Sequence, residues 1–251
     1  MRRTLQNVLL LILGAGVLRI SLFSDICLRY VKEGLQPYVV VAGLVLTALG
    51  VLGVLRDAVP ALTKRHTGPD GPGPEPDHGH GHDHSQGPRV AWLLLPPALA
   101  LLLFAPPALG SYTAARDRPQ LVVEYDRFDP LPATGPVPLS MTEYVARLQQ
   151  EESGSLKGRT VVLQGLVLPG RNGTWRLARL LVSCCAADSQ TLSVAVHGAK
   201  APPADSWVRV TGTWPPGGTL GTTSAELAVN VTSVTPLPEP ANPYLDKAPG
   251  R

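Results

Sequence analysis

Two groups of residues in this chain have the types and spacing to do chemistry. Cys184 and Cys185 are adjacent, Asp188 follows three residues later, and Arg179 lies five residues before the pair. In an extended strand adjacent side chains point to opposite faces, so one core cannot take both cysteines. In a turn at a strand's end they can present two thiolates to one soft metal or metalloid, or close a strained vicinal disulfide. A guanidinium folded near them would favour the thiolate, which makes Arg179 a candidate neighbour. Asp188 can pair with Arg179 or cap the turn. The plainer alternative buries one cysteine as a small apolar residue and leaves the other without a role. The third cysteine, Cys27, is related to the pair by no spacing rule.

The second group is His78, His80, His82 and His84, interleaved with Gly79, Gly81 and Asp83. Neutral imidazole is the commonest ligand for borderline metals such as zinc. Glycine spacers let several rings converge on an ion but fix no geometry, so binding here would be weak and exchangeable. The alternative is a solvated low-complexity linker. His197 is the one histidine of the C-terminal half and reads as structural. No nucleophile elbow, phosphate loop, zinc-protease or dinucleotide signature occurs, and the chain is expected not to be an enzyme.

The elements that must position these residues fall into two halves. Residues 1–110 hold three apolar stretches, near 5–23, 38–55 and 90–109, each close to the ~20 residues a helix needs to cross a bilayer. Arg19 falls within the first and can snorkel to the headgroups. Pro96-Pro97 and Pro106-Pro107 fall in the third, and membrane helices tolerate them better than soluble ones. No small-x-small cleavage site follows the first stretch, so it reads as an anchor rather than a removed signal. With the N-terminus in the cytoplasm, Arg2, Arg3, Arg56, Lys64, Arg65 and Arg89 lie inside, and Arg29, Lys32, Arg116 and Arg118 lie outside. That places the C-terminal domain on the extracytoplasmic side and the polar, disordered His-rich loop, 67–88, in the cytoplasm.

A Pro-rich stalk, 116–139, leads into a β-rich domain over 140–240. Its first element is a short helix from Met141, with Ser140 as N-cap, Glu143 completing a capping box, and Tyr144, Val145 and Leu148 on the apolar face. Five strands follow, near 160–168, 175–183, 192–197, 207–214 and 227–234, with Asn172-Gly173 as a hairpin turn. Five short strands in this length suggest a small barrel of the oligonucleotide/oligosaccharide-binding type. The fold class is therefore a helical membrane half of about three spans joined to a small mainly-β domain.

Composition agrees. Among 251 residues there are 26 prolines and 25 glycines, about a fifth of the chain against a background of ~12%. Only 16% are charged and 44% are apolar, which excludes a charged disordered chain. Three cysteines exclude a disulfide scaffold, and a net charge of +3 without a basic stripe argues against nucleic acid.

The stretch 179–188, RLLVSCCAAD, resembles the signature of the YcgQ-like permease-subunit family of bacteria, in which an Arg precedes C-C-A-A-D at this spacing. Residues 158–168, GRTVVLQGLVL, are similar to a strand of that family, and the layout of spans, polar loop and soluble domain is similar too. The resemblance implies a non-enzymatic membrane subunit that partners a multi-span YcgR-like permease, with an outer domain that binds or gates a solute. It marks Arg179, Cys184, Cys185 and Asp188 as motif positions without giving their roles. Small residues along the second span (Ala42, Gly43, Ala48, Gly50, Gly53) would let it pack closely against such a partner.

Overall fold

The computed structural model describes residues 2–63, 93, 96, 99–100, 103–104, 107–116 and 125–250. The chain divides into two compact units. One comprises residues 1–27 and 34–106, the other Leu28–Glu33 together with Pro107–Arg251. The His-rich loop and most of the third apolar stretch lie outside the described residues.

The first unit is built on two helices, α1 (Arg2–Leu22) and α2 (Gln36–Thr63), both long and apolar enough to cross a membrane. Pro37 near the start of α2 suits a helix's first turn, where its missing N–H has no partner to lose. The helix outruns the apolar stretch 38–55, because hydropathy marks what lipid would cover while backbone bonding carries the helix further. The two helices pack at glycine contacts. A Cβ at Gly14 would meet the Thr47 backbone nitrogen at 2.7 Å, and one at Gly50 would meet Leu11 Cγ at 2.8 Å. Gly43 and Gly53 likewise abut α1, at Leu18 and Asn7. The small residues expected to receive a partner are thus partly used within the pair itself. Polar ties at its ends complete the packing: Asn7 Nδ2 donates to Asp57 Oδ2 at 3.1 Å, and Gln36 Nε2 donates to the Ser21 carbonyl at 2.7 Å. Outward, Val41, Leu44, Leu49, Leu52 and Leu55 are exposed, a continuous apolar surface that water would penalise.

The second unit is mainly β. Its strands are β1 (Val137–Pro138), β2 (Thr160–Pro169), β3 (Trp175–Leu181), β4 (Gln190–His197), β5 (Trp207–Thr213) and β6 (Ala228–Leu237). The sheet order is β1-β2-β3-β4-β6-β5, and β2 also pairs with β5 antiparallel from Thr160↔Thr213 to Leu166↔Trp207. The pairings of β2 to β6 therefore return on themselves, which leaves no long free edge. Most neighbours are antiparallel; β1–β2 and β4–β6 are parallel. At the expected turn, Asn172 (φ 54°) and Gly173 (φ 77°) take the left-handed conformations a tight connection needs. Strand β6 runs on through Pro236 because it pairs with β4 only over 228–230, so no ladder partner is lost there.

The strands share a buried core of Val161, Leu163, Leu177, Val194, Val208 and Val210, and α3 (Met141–Gln150) packs its apolar side chains into the same core. Ser140 caps α3 as expected, its hydroxyl accepting from Glu143 N–H at 3.0 Å. The return half of the capping box is replaced: the Glu143 carboxylate accepts from Arg147 Nε and Nη2 at 3.0 and 2.8 Å. Tyr144, Val145 and Leu148 are fully buried. The Tyr144 hydroxyl donates to the Ala228 carbonyl at 2.7 Å, and burial pushes the phenol far above its usual pKa, so it stays a donor at every working pH. Tyr144→Phe should therefore cost about 1 kcal/mol in chemical denaturation.

Over its described part, the expected stalk packs against α3 and the sheet. Tyr125 and Phe128 stack, Arg147 lies over the Phe128 ring at 4.9 Å and donates to the Asp129 carbonyl at 2.6 Å, and Leu139 is buried. Prolines had suggested extension. Extended chain with apolar side chains instead supplies an edge strand, β1.

Candidate functional site

The cysteine pair sits where β3 ends. The expected strand ran to Ser183, but the ladder stops at Leu181 because the next backbone donors turn to one side chain. Asp188, on a single 3-10 turn (Ala186–Asp188), accepts from Ser183 N–H at 3.0 Å, Cys184 N–H at 2.7 Å and Cys185 N–H at 3.4 Å. The Cys185 side chain in return accepts from the Asp188 N–H. A short aspartate reaching back three to five residues ties this segment as a knot.

The knot brings both sulfurs to the same side. Cys184 Sγ lies 3.6 Å from Cys185 Sγ, both are free thiols, and Cys184 is exposed. The Cys184 thiol hydrogen-bonds the Asp188 carboxylate and then Cys185, and both contacts favour the protonated form, so its pKa is pushed up to about 11. The same thiol contact, with the backbone donors, holds the Asp188 carboxyl below the usual carboxylate range. Cys184 is therefore a protonated thiol at neutral pH rather than an activated thiolate.

A second backbone segment lies against the turn. Val31 and Cys185 form an antiparallel bridge, Lys32 N–H donates to the Cys184 carbonyl at 3.0 Å, and Ala186 N–H donates to the Tyr30 carbonyl at 2.7 Å.

Arg179 does not join this site. It is buried in β3, its Nε 3.4 Å from Asp246 Oδ1, its Nη1 donating to the Pro243 carbonyl at 3.4 Å, and its guanidinium 4.9 Å over the Trp207 ring. Burial pulls its pKa down and Asp246 opposes that. Asp246 also accepts from Met141 N–H, Thr142 N–H and the Thr142 hydroxyl, so it caps α3. Asp188 takes the turn-capping role rather than the Arg179 pairing.

Cys27 is free and buried in a 3-10 turn (Asp25–Arg29). His197 lies 3.3 Å from Glu226 Oε1 at the surface. His78, His80, His82 and His84, and the weak zinc-like site expected of them, lie outside the described residues. Among the described residues no group of three or more His, Cys, Asp or Glu could hold a metal by itself.

Sequence reasoning missed Lys32, Tyr30 and Tyr244. The Tyr244 hydroxyl donates to the Arg29 carbonyl at 2.8 Å and accepts from Leu109 N–H at 2.9 Å. Backbone partners of this kind leave no trace in residue type.

No curated protein and no solved structure matches the chain. Residues 136–246, the stretch that carries Arg179, both vicinal cysteines and Asp188, match the family model of the DUF1980 C-terminal domain, a domain of uncharacterised function.

Proposed function

We propose that the chain is a non-enzymatic, membrane-anchored binding subunit whose C-terminal domain receives a thiophilic solute at Cys184 and Cys185. The observation that carries this reading is the free thiol pair at 3.6 Å, Cys184 exposed and Cys185 half-buried, held by Asp188. At a metal–sulfur bond of about 2.3 Å, two sulfurs at that separation subtend about 103° at a shared ion. A linear two-coordinate ion would need them about 4.6 Å apart. The angle suits a pyramidal trivalent metalloid, or a tetrahedral zinc-like ion whose other positions go to solvent or a partner. For arsenous acid the exchange balances without redox change: two S–As bonds form, two As–O bonds break, and each leaving hydroxide departs as water with a thiol proton.

The ring of β2 to β6 supports a small closed barrel of the oligonucleotide/oligosaccharide-binding type. Two apolar helices with lipid-like outer surfaces support the anchor. Pairing of residues 30–32 with 184–186 supports one side of the membrane for the α1–α2 connection and the β domain. Since α2 leads away from that side, a return crossing is required, and 90–109 is the stretch with the length and hydropathy to make it. Three spans and an outer domain follow from that reading, together with the Lys/Arg balance. The resemblance of residues 179–188 to the YcgQ-like family supplies the permease as partner and the solute-binding or gating role.

Titration of the full chain in detergent with arsenite and with Cd(II) tests the site. Arsenite should bind one per chain, and the Cys184→Ser/Cys185→Ser double variant should bind none. Loss of nothing in that variant sinks the reading. The pH dependence separates the two ligand classes. Cd(II) must expel the Cys184 proton, so its affinity should climb about tenfold per pH unit for that proton. That rise should end near the thiol's pKa of about 11. Arsenite carries its own proton acceptors and should show no such slope over the same range.

A further inference from the structure

The backbone that carries the two sulfurs is committed on both flanks. Its N–H groups at Ser183, Cys184 and Cys185 go to Asp188. On the other flank, the Cys184 carbonyl and Ala186 N–H go to Lys32 and Tyr30. Those last two residues belong to Leu28–Glu33, the connection between α1 and α2, which packs as part of the β unit. The connection has a second, independent anchor: the Tyr244 hydroxyl holds the Arg29 carbonyl at 2.8 Å, and the Tyr30 hydroxyl donates to the Pro107 carbonyl at 3.2 Å.

We propose that the Leu28–Glu33 connection is a reporter strand for the dithiol: a thiophilic ion closing across Cys184 and Cys185 releases its pairing with 184–186. Occupancy of the thiols is thereby passed to the junction of the two helices. The inference deepens the reading of the pair as a receiving site and rests on it.

The bonds that shape the turn are the ones the ligand takes. A ligated Cys184 sulfur has no proton to donate, so its contacts with Asp188 and Cys185 are lost. Cys185 Sγ, which accepts from the Asp188 N–H, is drawn to the ion instead. The Asp188 carboxylate is left beside a sulfur that has lone pairs but no hydrogen to offer, a repulsive contact in place of an attractive one. The carboxylate keeps its three backbone donors and shifts with them away from the sulfur, so the path of 183–185 moves. The neighbouring pairing is a single bridge of two hydrogen bonds, so it is the weakest structure in reach. Anchored at Arg29 by Tyr244, the connection would open from its Lys32 end.

The test is hydrogen exchange of the full chain in detergent, with and without arsenite, alongside arsenic content by elemental analysis. One bound arsenic per chain should speed exchange at residues 30–33 and 184–187 about fivefold or more, with α3 and β2 unchanged. One bound arsenic with unchanged exchange at 30–33 overturns the coupling and leaves the receiving site standing. No bound arsenic overturns both. By reciprocity, weakening the clasp must help the ligand. Lys32→Pro removes the N–H donated to Cys184 and should raise arsenite affinity about fivefold, whereas Lys32→Ala keeps that N–H and should match the parent. Equal or weaker binding by Lys32→Pro also overturns the coupling.

Discussion

Arg179→Ala is expected to destabilise the C-terminal domain by about 3 kcal/mol, the lower end for breaking a buried ion pair. The guanidinium is 2% exposed and spans three structures: Asp246 on the tail, the Pro243 carbonyl, and the face of Trp207 on β5. Its removal strands the Asp246 carboxylate, itself only 7% exposed, without a cation. The loss is moderated because that carboxylate keeps the Met141 and Thr142 backbone donors and the Thr142 hydroxyl at the positive end of α3. Denaturant unfolding followed by the fluorescence of Trp175, Trp207 and Trp214 measures the change. A cycle with Asp246→Asn isolates the pair, and a coupling below about 0.5 kcal/mol would mean that packing over Trp207, not the ion pair, holds the tail. Under conditions where the variant is folded, Cys184 should titrate as in the parent. A shift would return Arg179 to the thiol site from which its side chain has been separated.

That separation shows where legibility stopped. The N-cap at Ser140, the five strands that follow its helix and the turn at Asn172-Gly173 rest on neighbours in sequence, and local chemistry decided them. Vicinal cysteines in a turn were readable for the same reason, as Asp188 lies within side-chain reach of the backbone it ties. The partner of Arg179 was not, since Asp246 is 67 positions away and an arginine five residues from a cysteine looks the same whichever way its side chain runs. The α2 glycines were recognised as contact residues, yet composition cannot say which helix they meet, and it is α1 that meets Gly43, Gly50 and Gly53. Least visible was the bridging segment at 30–32. It is recruited through carbonyl and N–H groups that every residue but proline possesses. Nor does composition show that the chain after residue 125, in the expected stalk, lies against α3.

Asp188→Asn should act on the dithiol in two opposite directions, and the contrast between them tests the knot. The carboxylate is the largest cause of the raised Cys184 pKa, which stands at about 11 against an ordinary 9.0. With a neutral amide in its place the pKa should fall most of the way back. A drop approaching two units multiplies the thiolate fraction at neutral pH by up to about 100. Each thiolate is then a weaker nucleophile, so alkylation by iodoacetamide should accelerate by about tenfold net. Capture of arsenite should move the other way. An amide offers one oxygen where the carboxylate offered two, so it cannot hold Ser183, Cys184 and Cys185 N–H together, and the sulfurs lose their common side. Loss of a group that orients ligands typically costs about 10- to 100-fold in affinity. Faster alkylation with weaker arsenite binding is the expected pair of results. If both rise, Asp188 serves only as a charge beside the thiol, and the sulfurs keep their geometry without it.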